Sequence, residues 1–224
     1  DKIPQSAAVV IDQKTGELRA IVGGREAPEV RKGWNRAYQS ATEVGSSIKP
    51  LSVYGPALDL GLSPASAVVN IPDPIVGWDT ETGYPAIGSE KYEGIITLRR
   101  GVVSSLNVAA ARTLLEDVSL QTGADYLAKL GVDPSRIKTT GSGLALGAMG
   151  ITPIEMAGAY AAIANEGKYI KPVSFSRVVD QNGKVILDSS KLRTEQRVFK
   201  PTTAYMLVDI CLLYTSPSPR DGLL

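Results

Sequence analysis

The sequence predicts an α/β fold of the α+β type, an antiparallel sheet with helices packed on it. Three observations carry this: a hairpin near the start, a block of helical patterns in the middle, and a second hairpin followed by one more helix. Strands and helices are segregated rather than alternating as βα units, which argues against a doubly wound parallel sheet. With 224 residues, 43% hydrophobic and 21% charged, the chain has material for one domain or one and a half, and its composition is not that of a disordered segment.

The elements follow in order. Residues 7–12 (AAVVID) and 17–22 (ELRAIV), joined by Gln13-Lys14-Thr15-Gly16, form the first hairpin. Residues 23–45 are polar and irregular and read as a loop. In residues 46–60, Ile48, Leu51, Tyr54 and Leu58 fall at helical spacing. Pro50 is tolerated in a first turn, where amide donors are free, and Pro56 is expected to kink the helix. Residues 62–94 are rich in Pro, Gly and Asp, with Trp78 and Tyr84 as anchors; an excursion that long is expected to wall a cleft.

Helices are expected over 98–103 and 108–118, broken near 104–107, and over 121–130, ended by Gly131. Thr152-Pro153-Ile154-Glu155 is a capping box with proline at the first helical position. It opens a helix to Asn165, and Gly167 supplies the left-handed cap. Residues 173–179 and 184–188 flank Asn182-Gly183 as the second hairpin. A last helix begins at Pro201.

Composition excludes much chemistry. There is no histidine, so imidazole mechanisms and HExxH zinc sites are absent. The single cysteine, Cys211, rules out an internal disulfide or a CxxC metal site. No metal or other cofactor is expected. Lys plus Arg is 24 against 23 Asp plus Glu, for a net charge of +1, which gives no support to a nucleic-acid partner. No apolar run approaches the ~20 residues that span a bilayer. The chain begins at Asp1 without a leader pattern and reads as a piece of something longer.

Without histidine, a hydroxyl nucleophile needs a lysine or carboxylate base. Ser-x-x-Lys at a helix start supplies one, since a spacing of three puts both side chains on one face. A neutral lysine amine can take the serine proton where burial and neighbouring charge disfavour its ammonium form. Two matches exist, Ser46–Lys49 and Ser135–Lys138. The second has no apolar helix face behind it. The first is followed by the 46–60 helix and preceded by Gly45, expected to permit close backbone approach. Ser105-Leu106-Asn107 is the only Ser-x-Asn in the chain. It reads either as a second set of groups facing the same cleft or as a plain helix cap, with Ser105 or Asn107 capping 108–118.

Gly45-Ser46-Ser47-Ile48-Lys49-Pro50 resembles the active-serine motif of penicillin-binding proteins, in the transpeptidase domain of the bifunctional (class A) type. Ser105-Leu106-Asn107 resembles that family's second motif, in order and distance. The resemblance extends through Asn35-Arg36-Ala37, residues 94–112, Leu144-Ala145-Leu146-Gly147, residues 152–157, Ala159-Tyr160 and Ala164-Asn165-Glu166-Gly167, covering roughly residues 5–210. It implies a DD-peptidase/β-lactamase-like fold with helices on both faces of the sheet, here incomplete.

It further implies roles. Ser46 is the nucleophile on a D-Ala-D-Ala stem peptide, Lys49 its base, Ser105 a proton relay, and Asn107 a hydrogen-bonding partner of bound peptide. Peptidoglycan stem peptides and β-lactam antibiotics are the implied partners. The implied parent is membrane-anchored, at the extracytoplasmic face of a bacterial cell envelope.

Two departures stand out. Thr42-Glu43-Val44 replaces the family's usual Arg-Gln-Pro, and no Lys-Thr-Gly follows Asn107. Lys14-Thr15-Gly16 lies upstream of Ser46 and reads as the hairpin turn. Residues 1–210 are therefore expected to be a partial transpeptidase domain, and 211–224 a tail foreign to the family. Activity is expected to be impaired. The alternatives are a β-lactam sensor or serine β-lactamase relative, and an inactive fragment or scaffold domain.

Overall fold

A computed structural model describes residues 4–25, 31–78, 80–86 and 91–212. The first hairpin pairs β1 (Ala8–Ile11) with β2 (Leu18–Val22), with a bulge at Val10/Ile11. The Asp12 carboxylate accepts the amides of Lys14 and Thr15 and Gly16 sits at φ +75°, so Lys14-Thr15-Gly16 is a turn, as its composition predicts.

The expected loop at 23–45 holds two short elements that a polar, aperiodic stretch does not advertise. These are α1 (Arg36–Gln39), capped by the Asn35 side chain, and β3 (Thr42–Glu43). The helical run at 45–59 is present but changes register. It opens as a 3₁₀ turn, Gly45–Ile48, continues as a π-helical turn, Pro50–Tyr54, and becomes α2, Gly55–Asp59. Its predicted stripe is the core: Ile48, Leu51 and Tyr54 are fully buried and Leu58 nearly so.

The excursion at 62–94 is not wholly irregular, because β4 (Ala67–Asn70) pairs with β5 (Gly94–Thr97). Trp78 is buried and Tyr84 packs against the core, so both act as anchors. There follow α3 (Leu98–Val103), α4 (Asn107–Arg112) with a π-helical extension Thr113–Val118, and α5 (Leu120–Lys129). The glycine-rich stretch after Thr140 is a helix, α6 (Gly141–Leu146), capped by that threonine. β6 (Gly150–Ile151) pairs with β3.

Both halves of the capping box open α7 (Pro153–Ala164) as the sequence predicts. Glu155 also takes the Asp133 amide and the Arg136 guanidinium, tying the preceding loop to this helix start. Next come β7 (Lys168–Ile170), then β8 (Arg177–Val179) and β9 (Val185–Asp188) as the second hairpin. The chain continues through α8 (Ser189–Leu192), β10 (Glu195–Arg197) paired with β7, and α9 (Pro201–Leu212).

Every strand pairing in the ladders is antiparallel, as expected. Among the described residues the strands are spread over five two-stranded ladders, and a parallel bridge from Glu17 to Val173 ties the first hairpin to the segment after β7. The expected boundary at 210/211 falls inside α9. The remainder of the tail, 213–224, lies outside the described residues.

Asp59 joins three elements at the end of α2. Its carboxylate accepts the Tyr126 hydroxyl (2.8 Å), the Lys200 amide (2.9 Å) and the Thr203 hydroxyl (2.7 Å). Partial burial pushes the carboxyl's pKa up, but those donors and the Lys200 charge together hold it below its ordinary value of 3.8. A depressed carboxylate contributes stability that is present above the unfolded value and lost as pH falls through the folded one. The Asp59→Asn protein should therefore melt lower than the parent at neutral pH, and the difference should shrink as pH is lowered below about 4. Melting curves across that range check it; a difference that does not change with pH sinks the assignment.

Candidate active site

Ser46 is the second residue of the 3₁₀ turn, exposed near the N-terminal end of the helical run. Lys49 lies one turn on, and its amide donates to the Ser46 carbonyl. Unlike Ser46, Lys49 is buried, with 2% of its surface exposed.

The other half of the site is the break between α3 and α4. The Ser105 amide donates to Val102 O and the Leu106 amide to Gly101 O, a pair that ends α3 as a Schellman motif. Ser105 occupies the position that glycine usually fills, at φ +53°. A left-handed L-residue costs roughly 1–2 kcal/mol, and such strain is concentrated where a side chain or carbonyl has work to do. The Ser105 carbonyl accepts from Lys49 Nζ at 2.6 Å, and its hydroxyl lies 3.2 Å from the same nitrogen.

Asn107 is the first residue of α4, and its Oδ1 accepts from Lys49 Nζ at 2.7 Å. Leu106 occupies the cap position and no side chain caps the helix. Of the two readings of Ser105-Leu106-Asn107, the helix cap is not the one found: both side chains turn toward Lys49. Asn107 Nδ2 donates to Ala86 O, which brings the 62–94 excursion to the edge of the site, as a cleft wall should.

The structure therefore gathers Lys49, Ser105 and Asn107 from positions 56 and 58 residues apart in sequence, one turn beyond Ser46. The second Ser-x-x-Lys match is not of this kind. Ser135 donates to Asp133, and Lys138 Nζ donates to Ala148 O.

Gly45 departs from expectation. Its φ is +57°, which explains glycine there, but a Cβ would meet nothing within 4 Å. The close backbone approach is made instead by Gly147, where a Cβ would collide with the Gly45 carbonyl. Nothing in the spacing of Gly147 announces this; it depends on how α6 packs on the turn.

A helical core, a Ser-x-x-Lys turn and a facing Ser-x-Asn turn go with the class of domains that share the DD-peptidase/β-lactamase-like fold. The family profile described as penicillin binding protein transpeptidase domain matches residues 6–215, and the chain belongs to that family. It is 35% identical to penicillin-binding protein 1A of Clostridium tetani over 220 residues, covering 92% of this chain and 27% of that protein. To penicillin-binding protein 1A of Escherichia coli it is 34% identical over 212 residues, covering 93% of this chain and 23% of the relative. The chain thus spans about a quarter of the length of these relatives.

Among solved structures, penicillin-binding protein 1A of Haemophilus influenzae superposes with a TM-score of 0.78 at 29% identity, over 92% of this chain and 34% of that one. PonA1 of Mycobacterium tuberculosis, in complex with penicillin V, gives 0.71 at 26% identity, over 92% and 55%.

Proposed function

We propose that this chain carries a serine D-Ala-D-Ala transpeptidase site that acts in peptidoglycan cross-linking and is acylated by β-lactams. The observation that supports this best is the buried Lys49 amine held between Ser105 and Asn107, one helical turn after an exposed Ser46.

In this reading Ser46 Oγ attacks the carbonyl of the penultimate D-Ala of a stem peptide while Lys49 takes its proton. Lysine suits this role because, unlike arginine, it loses its proton readily when buried. The new Ser46 O–C bond replaces the C–N bond to the terminal D-Ala. Lys49 returns the proton to the leaving amine through Ser105 Oγ, which lies at 3.2 Å. A neighbouring peptide's amine then attacks the ester, forming the cross-link and restoring the Ser46 hydroxyl. The Ser46 amide supplies one oxyanion donor, and Asn107 orients the peptide. No Lys-Thr-Gly follows Asn107 in residues 108–224. A second oxyanion donor from such a strand is therefore not supplied by these residues, and acylation is expected to be about 10²–10³-fold slower than where one is present.

The reading puts the activity in the bacterial cell envelope, in keeping with bacterial relatives named penicillin-binding protein 1A. We assign the parent to the extracytoplasmic face of the membrane, through an anchor outside these residues. No helix among the described residues is long and apolar enough to cross a membrane.

The test is a fluorescent penicillin, with mass spectrometry locating the adduct. A lasting adduct on the peptide containing Ser46 is expected. An adduct hydrolysed within seconds points to a β-lactamase relative instead, and no adduct on folded protein leaves a scaffold domain.

A further inference from the structure

We propose that Gly147 is a positioning residue for Ser46, working with Tyr160 as an external clamp on the turn that presents the nucleophile. The inference rests on the transpeptidase reading above and adds residues outside the Ser-x-x-Lys and Ser-x-Asn motifs.

Lys49, Ser105 and Asn107 fix the turn on its inner side. On its outer side the turn meets a different frame. The amides of Val44 (3.2 Å) and Gly45 (3.4 Å) both donate to the Gly147 carbonyl. The Tyr160 hydroxyl, from α7, donates to the Ser47 carbonyl at 2.8 Å. Ser52 Oγ, further along the same helical run, donates to Leu144 O at 2.6 Å. The β3–β6 pairing holds Thr42 and Glu43 against Ile151 and Gly150. Residues flanking Ser46 on both sides are thus held by one segment, 144–151, and by Tyr160.

Gly147 makes this possible in two ways. It takes φ +70° as the left-handed end of α6, which aims its carbonyl at the turn. It also carries no Cβ, and one placed there would collide with the Gly45 carbonyl and amide, on the residue next to the nucleophile. Any side chain at 147 must displace the Gly45 backbone, and with it the start of the turn that carries Ser46. Reaction rates depend steeply on placement, and about 1 Å of error costs on the order of 10²-fold.

Gly167 offers a matched control. It too is left-handed, at φ +84°, and a Cβ there would also strike a backbone carbonyl, that of Phe199 rather than one in the Ser46 turn. The Gly147→Ala and Gly167→Ala proteins should both melt below the parent. Only Gly147→Ala should slow penicillin adduct formation, by about 10²-fold at saturation, with the half-saturating penicillin concentration unchanged. Hydrogen exchange gives a second readout that needs no activity. In Gly147→Ala the amides of Val44 and Gly45 should exchange at least about fivefold faster, while in Gly167→Ala they should keep the parent's protection. Equal labelling rates in the two variants, or unchanged protection of Val44 and Gly45, overturns the clamp. If the parent chain takes no label at all, the transpeptidase reading fails while the exchange result still decides the clamp. If Gly147→Ala does not fold, Tyr160→Phe carries the test: faster exchange across residues 44–49 supports the clamp, and parental exchange there overturns it.

Discussion

Replacing Lys49 by methionine is expected to slow penicillin labelling of Ser46 by about 10²–10⁴-fold, the usual contribution of a positioned general base. Methionine keeps the length and apolar body of the side chain, so the core around the 2%-exposed position stays filled. What is lost is the amine and its bonds to the Ser105 carbonyl and Asn107 Oδ1. Leaving such acceptors unpaired costs about 1–3 kcal/mol each, so the melting temperature should fall as well. Lys49→Arg separates the two effects. Arginine can still donate to Ser105 and Asn107 but cannot give up its proton at working pH. A stable Lys49→Arg protein that labels at the parental rate would show that residue 49 is only a fixed cation. Rates are read from the fluorescent adduct over time, with Ser46→Ala as the zero.

The largest loss of stability is expected from Phe199→Ala. Phe199 is fully buried, and its ring stacks on Tyr126 with centroids 5.3 Å apart and planes inclined by 24°. It packs against Gly55, where even a Cβ would run into the ring, and so helps seat α9, which follows it, on α2. Truncating a buried phenylalanine costs about 3–5 kcal/mol. In a chain of this size each kcal/mol lowers the melting temperature by about 2–4 °C, for an expected drop of about 6–20 °C. Thermal and denaturant melts measure it. A shift within error would mean that α9 is not docked on the domain.

The parts of the fold legible in the sequence are those whose signal is local. Thr152-Pro153-Ile154-Glu155 specifies its own helix start because the capping bonds lie within one turn. Ile48, Leu51, Tyr54 and Leu58 specify a buried face by spacing alone. What escaped were elements held by partners far away: β3 needs β6, β4 needs β5, and β10 needs β7, each pair too short to show a period. α6 escaped for another reason, since three of its first residues, Gly141-Ser142-Gly143, are poor helix formers rescued by the Thr140 cap and by packing under Trp78.

The site divides along the same line. Ser46 and Lys49 are covalent near-neighbours, so a helical turn suffices to relate them, and Ser105 and Asn107 stand two apart in a recognisable motif. That much, with the absence of histidine, the amino-acid order determined. Only the packed chain decided that Ser105 takes a left-handed backbone, that both it and Asn107 face Lys49 rather than capping α4, and that Gly147 closes on the turn that carries Ser46. The physical reason is reach: a motif encodes bonds within a few residues, whereas contacts across 56 or 92 residues exist only once the core has brought their helices together.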